Sequence, residues 1–389
     1  MAPVLVGRFA GQQQLGYYTL GVSLYVVATA MARSLVWTTY TKELHHHDDR
    51  KQAELTGSST IHLLGYALAT AIVIGTIASV SAGLGHAQLA WFFAVLAPAA
   101  AAMLVREHVR RLAMAKIDFV GVLVLDVLVA VAQVGSLVWL ATAERLTATS
   151  AFVAVAISSL LSLGWLIVYR DRFSLRWGRV VPDWLHSWKT SKWLVAASSS
   201  VTIGNQGYRW VLPALASLAE LGRLGAAQVV VQFTNPLVIG LSNYIGPLTA
   251  KLLAEKGVHE LWRYTRRLSV LMAAGIATFV VGVGFFGVPL VQLLLGDGAE
   301  GVTRLLVVTL TAGALSEALL IPIQAATVNR GEARQLTSTA ILRLVINVSI
   351  GYGLVGVFGA EAIGIGMLVG SLATLAWLWR AFEKELSGV

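Results

Sequence analysis

The chain has 389 residues, of which 57% are hydrophobic and only 13% are charged, so its polar surface is too small to cover a soluble globule. This composition excludes an ordinary soluble domain and predicts an all-α polytopic membrane protein. A net charge of +9 would suit a nucleic-acid partner, but the positions of the basic residues argue against one. The absence of cysteine excludes disulfides and thiolate chemistry.

About eleven apolar stretches are long enough to cross a bilayer, since a spanning helix needs roughly 20 residues. They are 15–41, 59–83, 88–108, 117–141, 147–169, 193–216, 224–250, 265–288, 303–326, 336–358 and 360–380. We predict three parts, namely an N-terminal helical lobe over 1–169, a cytoplasmic linker over 170–192 and a C-terminal helical lobe over 193–389. The Arg, Lys and Trp residues of the linker favour an amphipathic segment at headgroup level, and a plain charged linker is the alternative.

The basic residues are distributed unequally between the two sides of the membrane. Of the 29 Lys and Arg residues, 22 lie in or next to connections that would face the cytoplasm, 4 lie on the opposite side and 3 lie within spans. This is the positive-inside pattern. It predicts a multi-pass protein of the inner (cytoplasmic) membrane with a cytoplasmic C-terminus, and it explains the net charge without nucleic acid.

The order of helices and loops repeats when the chain is shifted by 209 residues. Lys42 then lies over Lys251. Asp126 falls opposite Arg343 if the second half has eight extra residues in the loop "GDGAEGVT", which we call the slip. A complete repeat would have two six-helix halves in one orientation, an arrangement found in transporters. We therefore predict two parallel bundles related by a pseudo-twofold axis, derived from a twelve-helix parent whose first helix, about 20 residues, is missing.

Three arginines lie within predicted spans, where a charge costs at least ~2.5 kcal/mol at the helix centre. Arg33 is close enough to the cytoplasmic end of its span for its side chain to extend towards the headgroups. We favour a second interpretation, in which Arg33, Arg209 and Arg343 line a common water-filled cavity and attract a diphosphate. Asn205 and Gln206 precede Arg209 by one turn and belong to the same predicted substrate site.

Two carboxylates also lie within predicted spans. Asp126 and Arg343 occupy equivalent positions in the repeat, and a structural ion bridge between the two is the alternative to a cavity role for Arg343. Glu317 has no neighbour of opposite charge in the sequence, so it is the predicted residue for coupling to an H⁺ or Na⁺ gradient, with Asp126 as its helper. The alternative is that Glu317 only forms a hydrogen bond with a neighbouring helix.

The sequence contains no Ser/His/Asp arrangement, P-loop or HExxH motif, so we expect neither an enzyme nor a cofactor. The run from His45 to Asp49 has metal-ligating residue types, but it has no second cluster, and we expect no metal site. Gly366 and Gly370 are four residues apart, a spacing that predicts close packing of helices.

Three stretches resemble polysaccharide flippases of the multidrug/oligosaccharidyl-lipid/polysaccharide (MOP) superfamily. In "ELGRLGAAQVVVQFTNPLVIGLSNYIGPLTAKLLAEKG" a Leu-Gly turn opens a helix that ends at Pro247, before a basic loop. "VNRGEARQLTSTAILRLVINVSIGYGLVGVFGAEAIGIG" has a short basic loop, a helix and a Gly-rich hairpin, and "GRFAGQQQLGYYTL" is similar to the junction of the first two helices. Where the family often has an Asp-Arg step, this chain has Tyr208-Arg209.

The resemblance implies a MATE-like fold and transport of a lipid-linked oligosaccharide, usually on undecaprenyl diphosphate, to the outer leaflet by alternating access. We expect a monomer whose partners are this substrate, membrane lipids, H⁺ or Na⁺ and polysaccharide-assembly proteins. A cation-coupled multidrug antiporter of the same superfamily is the alternative, but three arginines against two carboxylates favour an anionic substrate. A glycan ligase or polymerase would need a large outer loop, and the longest here, 289–302, has about fourteen residues.

Overall fold

The computed structural model describes residues 2–44, 47–164, 173–330 and 333–386, and all regular structure within these ranges is helical. The chain divides into two compact units. Unit 1 contains Met1–Ala10 and Tyr17–Ile203, and unit 2 contains Gly11–Gly16 and Gly204–Val389. Unit 2 resumes at Gly204, eleven residues later than the lobe boundary expected at 193, so the described part of the expected linker lies in unit 1.

Unit 1 contains seven described helices, although the first residues of its second helix belong to unit 2 and the seventh runs three residues past Ile203. They are α1, Ala2–Ala10; α2, Gln12–Leu44; α3, Asp49–Gly83; α4, Ala87–Ala115; α5, Phe119–Thr142; α6, Ala148–Leu160; and α7, Trp177–Gln206. The core lies where α2 meets α4 and α6. There the ring of Phe152 stacks on Tyr18 at 5.2 Å and meets Phe92 edge-on at 5.9 Å. Such aromatic pairs add to the packing of the surrounding apolar residues.

Besides a single helical turn at Val355–Phe358, unit 2 contains six described α-helices. They are α8, Tyr208–Leu215; α9, Leu218–Gln232; α10, Asn235–Leu295; α11, Arg304–Asn329; α12, Ala333–Ile346; and α13, Glu361–Leu386. A π-helical segment, Asn347–Tyr352, directly follows α12. The first turn of α2 also belongs to this unit, where Gln12 Nε2 donates to the carbonyl oxygen of Glu300 across 2.6 Å.

Apolar side chains cover the exposed faces of several helices. On α5, Leu123, Val127 and Val131 are each more than half exposed. Phe285 and Phe286 on α10 are similarly exposed. Exposed apolar faces of this length would be unfavourable in water, whereas hydrocarbon accepts them and the helices satisfy their own backbone hydrogen bonds. The predicted all-α membrane fold is confirmed.

Seven helical segments of the described ranges are long and apolar enough to cross a bilayer. They cover nearly all of the first four predicted spans. The bent helix α10 contains the span expected at 265–288 and most of the one expected at 224–250, whose first residues lie in α9. Other predicted spans are interrupted. The span at 193–216 breaks at Gly207, and the one at 336–358 passes from α12 into the π-helical segment. The span at 147–169 extends into residues outside the described ranges.

The bend in α10 lies at Gly257, whose backbone has φ 78° and ψ −178°. It divides α10 into two helical halves. Gly257 lies 209 residues after Asp48, the residue that caps the start of α3. Likewise α4 begins at Ala87 and α11 begins at Arg304, as expected from the same shift plus the slip of eight residues. The order of helices in unit 2 therefore repeats that of unit 1, as predicted.

Substitution of Gly257 by alanine should destabilise unit 2 by about 1–3 kcal/mol, because this φ/ψ combination is essentially restricted to glycine. Gly240→Ala is the matched control. Gly240 lies in the same helix, and a Cβ atom there would meet nothing within 4 Å. Thermal unfolding of the purified protein should show a lower midpoint for Gly257→Ala only; equal midpoints for the two variants would contradict the prediction.

Candidate functional site

Arg209 lies at the start of α8 in unit 2 and is held entirely by uncharged groups. Its Nη1 donates to Gln206 Oε1 at 2.5 Å, its Nη2 to Gln228 Oε1 at 2.9 Å and its Nε to the Tyr208 hydroxyl at 3.1 Å. Gln228 also donates from Nε2 to the Tyr208 hydroxyl at 2.7 Å. These bonds fix the plane of the guanidinium group and leave its positive charge without a carboxylate partner among the described residues.

A guanidinium group has five N–H donors, and the three described bonds use three of them. The remaining donors and the uncompensated charge are suited to an anion with several oxygens, since arginine binds phosphates and carboxylates through a fork of parallel N–H bonds. Sequence reasoning identified Arg209 and Gln206. It missed Tyr208 and Gln228, because no regular spacing connects Gln228 on α9 with Arg209 on α8.

The predicted site residue Asn205 lies beside a small gap next to the Arg209 cluster. The gap has a volume of about 10 Å³ and is also lined by Tyr208 and by Asn347 and Tyr352 of the π-helical segment. Asn347 is 6% exposed, and its Oδ1 is buried with no hydrogen-bond partner in the described structure.

Arg343 lies on α12, one turn before Asn347. Its Nη1 pairs with Glu317 Oε1 on α11 at 3.5 Å, and the Arg343 side chain is only 13% exposed. Glu317 has no neighbour of opposite charge in the sequence but has one in the fold, and the alternative in which Arg343 pairs with Asp126 is wrong. The pair could not be predicted from the sequence, because Glu317 and Arg343 are 26 residues apart in the chain and lie on different helices.

Close approach of α13 to α12 and the π-helical segment holds this part of unit 2 together. A Cβ atom at Gly366 would lie 2.6 Å from the Cα of Gly351, and one at Gly370 would lie 2.8 Å from Asn347 Oδ1. Both distances are too short for any side chain larger than hydrogen. The close packing predicted from the spacing of Gly366 and Gly370 is thus confirmed.

Asp126 lies on α5 in unit 1 and pairs with two arginines of α4. Its Oδ1 accepts from Arg106 Nη2 at 2.9 Å, and its Oδ2 accepts from Arg110 Nε at 2.8 Å. The interpretation that Asp126 pairs with Arg343 was wrong, because equivalent positions in a repeat need not be in contact. Arg106 and Arg110 are four residues apart and so share one face of α4. The spacing of these two arginines was the feature of the sequence that could have indicated a shared carboxylate partner.

Arg33 begins a π-helical segment, Arg33–Trp37, within α2 of unit 1. Its side chain is exposed and has no hydrogen bond or ion pair with the residues that the structure describes. The segment is fixed by Trp37, whose Nε1 donates to His108 Nδ1 at 3.2 Å, while His108 Nε2 lies 3.0 Å from the Thr60 hydroxyl. π-Helical turns occur frequently at functional sites. A common cavity for Arg33, Arg209 and Arg343 stays a prediction.

The described residues contain no group of three His, Cys, Asp or Glu side chains that could hold a metal ion. His45 and His46 lie outside those residues, so the structure does not test the run from His45 to Asp49 as a whole.

The fold is shared with two kinds of membrane transporter. The chain is similar to a multidrug resistance transporter of the MATE family of the MOP superfamily in an inward-facing conformation, with a TM-score of 0.79 and 15% identity over 98% of this chain and 93% of that one. It is also similar to the lipid II flippase MurJ in an inward closed conformation, with a TM-score of 0.75 and 11% identity over 98% of this chain and 84% of that one.

A further similar structure is the eukaryotic MATE transporter AtDTX14, with a TM-score of 0.63 and 13% identity over 98% of this chain and 90% of that one. No family model matches the sequence, and no curated protein matches it. The structural likeness confirms the predicted MATE-like fold. It does not distinguish a flippase from a multidrug transporter, because both kinds have it.

Proposed function

We propose that the chain is a transporter of the MOP superfamily that moves a lipid-linked oligosaccharide from the cytoplasmic to the outer leaflet of the inner membrane. Its substrate would carry undecaprenyl diphosphate, and its product would serve cell-surface polysaccharide synthesis. The observation that carries this proposal is the guanidinium group of Arg209, which is held in place by Gln206, Gln228 and Tyr208 without a balancing carboxylate. A diphosphate supplies the negative charge and the acceptor oxygens that this arrangement is suited to bind.

The carboxylates of the spans argue against an organic cation as substrate. Asp126 is bound by Arg106 and Arg110, and Glu317 is bound by Arg343. An exporter of cations would need carboxylates that are free to attract its substrate. The similar structures nevertheless include a multidrug transporter, so an antiporter is the alternative that experiment must separate. We further propose that the chain is not an enzyme, acts as a monomer, binds no nucleic acid and has a cytoplasmic C-terminus.

Reconstitution into liposomes tests this function. The substrate is an undecaprenyl diphosphate oligosaccharide with a fluorophore on the sugar, and a membrane-impermeant quencher reports how much label reaches the outer leaflet. Protein-dependent movement of this lipid, without movement of a fluorescent phospholipid, is the expected result. Movement of ethidium with no movement of the labelled lipid would favour the antiporter and contradict the proposal.

Glu317 is the residue that we propose to couple transport to an ion gradient. Its bond to Arg343 is a single contact at 3.5 Å, whereas Asp126 has two contacts at 2.8 and 2.9 Å, so Glu317 is the easier of the two to release. Binding of H⁺ or Na⁺ at Glu317 would free the guanidinium group of Arg343 for an anionic headgroup. Ion binding and substrate binding would then favour each other.

The substitution Glu317→Gln should abolish the dependence of transport on an applied pH or Na⁺ gradient. An amide carries no charge that H⁺ or Na⁺ could neutralise, so its interaction with Arg343 would not change with the gradient. The control is Glu255→Gln, which removes an exposed carboxylate that lies 3.9 Å from Lys251 on the same unit. Transport rates are measured in liposomes with imposed gradients. If Glu317→Gln keeps the wild-type gradient dependence, Glu317 is not the coupling residue.

A further inference from the structure

Tyr352, the last residue of the π-helical segment, is bonded to the backbone that leads to Arg209. Its hydroxyl donates to the carbonyl oxygen of Gly204 at 2.9 Å. Gly204 lies three residues before Gly207, where α7 gives way to α8. Between the two glycines lies Gln206, which accepts from Arg209 Nη1 at 2.5 Å. Tyr352 therefore holds the short stretch of chain that carries a ligand of the guanidinium group.

The same stretch also contacts α12. A Cβ atom at Gly204 would lie only 2.7 Å from Leu344 Cδ1, so the backbone at Gly204 approaches this side chain closely. Leu344 directly follows Arg343, whose Nη1 lies 3.5 Å from Glu317 Oε1. Gly204 is thus in contact with both α12 and the π-helical segment. All of these residues belong to unit 2.

Helix α12 continues into the π-helical segment without a break. Ile346, at the junction, has helical dihedral angles of φ −64° and ψ −45°. Gly370 on α13 packs against both sides of the junction, since a Cβ atom there would lie 3.2 Å from Arg343 Cγ and 2.8 Å from Asn347 Oδ1. The chain from Arg343 to Tyr352 is therefore one helical piece, and a rigid element of this kind transmits a displacement from one end to the other.

The π-helical turn can hold Tyr352 in this position only while it stays π-helical. The amide of Gly353 donates to the carbonyl oxygen of Val348, five residues earlier, at 3.2 Å, whereas an α-helix would use the residue four positions earlier. Conversion of the turn to α-helix would shift the facing residue by one position, a rotation of about 100°. The Tyr352 hydroxyl would then leave the carbonyl oxygen of Gly204.

We propose that Tyr352 is a positioning residue that couples ion binding at Glu317 to the anion site at Arg209. Both residues have these roles in the proposed function, on which this inference rests. When H⁺ or Na⁺ binds Glu317, Arg343 loses its partner and the helical piece that ends at Tyr352 is released. Loss of the bond from Tyr352 then lets Gln206 move off Arg209, whose Nη1 becomes available to a diphosphate oxygen. Ion binding on α11 would in this way favour substrate binding at α8.

Hydrogen–deuterium exchange of the purified protein tests this link without any substrate. Glu317→Gln, which removes the negative charge, should make the backbone amides of residues 204–212 exchange about 2- to 10-fold faster, the range that corresponds to the loss of one hydrogen bond. Tyr352→Phe, which removes only the hydroxyl, should produce an increase of similar size. Glu255→Gln, at an exposed carboxylate of α10, is the control and should leave the exchange of these amides unchanged.

The double variant separates coupling from a purely structural role of Tyr352. Because both substitutions would act on the same bond, Glu317→Gln in the Tyr352→Phe background should add no further increase in exchange. Equal increases from Glu317→Gln in both backgrounds would overturn the proposal. Unchanged exchange in Glu317→Gln alone would also overturn it, and this outcome stays decisive if Tyr352→Phe fails to fold.

The exchange measurement and the liposome assay fail independently of each other. Coupling of residues 204–212 to Glu317 without movement of the labelled lipid would contradict the proposed function alone. Movement of the labelled lipid without this coupling would contradict the role of Tyr352 alone.

Discussion

Replacement of Arg209 by glutamine should lower the rate at which the reconstituted protein moves a lipid-linked oligosaccharide diphosphate by about 10- to 100-fold. A hydrogen bond to a charged group contributes about 1.5–3 kcal/mol, and 1.4 kcal/mol corresponds to a tenfold change. Glutamine keeps part of the side chain's length and polarity but removes the charge. The fluorescent-lipid assay in liposomes measures the effect, and gel filtration checks that the variant remains folded.

A second substitution tests the charge of Arg209 without altering that residue. Gln228→Glu would place a carboxylate where an amide oxygen now lies 2.9 Å from Arg209 Nη2. The guanidinium group would keep its orientation, and the carboxylate would balance its positive charge. Transport should fall to a similar extent. Arg263→Gln is the control, because Arg263 is 69% exposed and pairs with Glu260 at the surface of the same unit. Wild-type transport by both Arg209→Gln and Gln228→Glu would exclude Arg209 from the substrate site.

The substitution Gly366→Ala should destabilise unit 2 by about 1–3 kcal/mol, since the added methyl group would lie 2.6 Å from the Cα and 2.7 Å from the backbone nitrogen of Gly351. Backbone atoms cannot rotate away as a side chain could. Helix α13 would have to move off the π-helical segment. Gly370 of α13 would then move away from Arg343 and Asn347, which it now approaches closely.

The facing residue provides a matched control for this prediction. A Cβ atom at Gly351 would lie 3.7 Å from Gly366 Cα, which is an ordinary van der Waals distance, so Gly351→Ala should be tolerated. Gly275→Ala, in open surroundings on α10, should be neutral or stabilising. The thermal unfolding midpoint should therefore fall only for Gly366→Ala. A similar fall for Gly351→Ala would mean that the contact is not what limits the substitution.

The sequence by itself was sufficient to predict the membrane fold, the positions of most spans and the repeat of helix order. These properties depend on local quantities, namely the length of apolar runs and the turn residues between them. Lys42 could be placed over Lys251 for that reason, and the structure adds that the cap at Asp48 and the bend at Gly257 obey the same shift. The close packing at Gly366 was also visible, because a small residue every four positions marks one helix face.

Only the tertiary structure decided which charges meet. Glu317 binds Arg343, Asp126 binds Arg106 and Arg110, and Arg209 is held by Gln228 of the next helix. Each partner depends on the rotation of two helices about their axes, and a rotation of one residue, about 100°, would separate the groups. Sequence periodicity specifies the apolar face of a helix but not the neighbour that this face or its polar side chains will contact, because that choice depends on the packing of all the helices together.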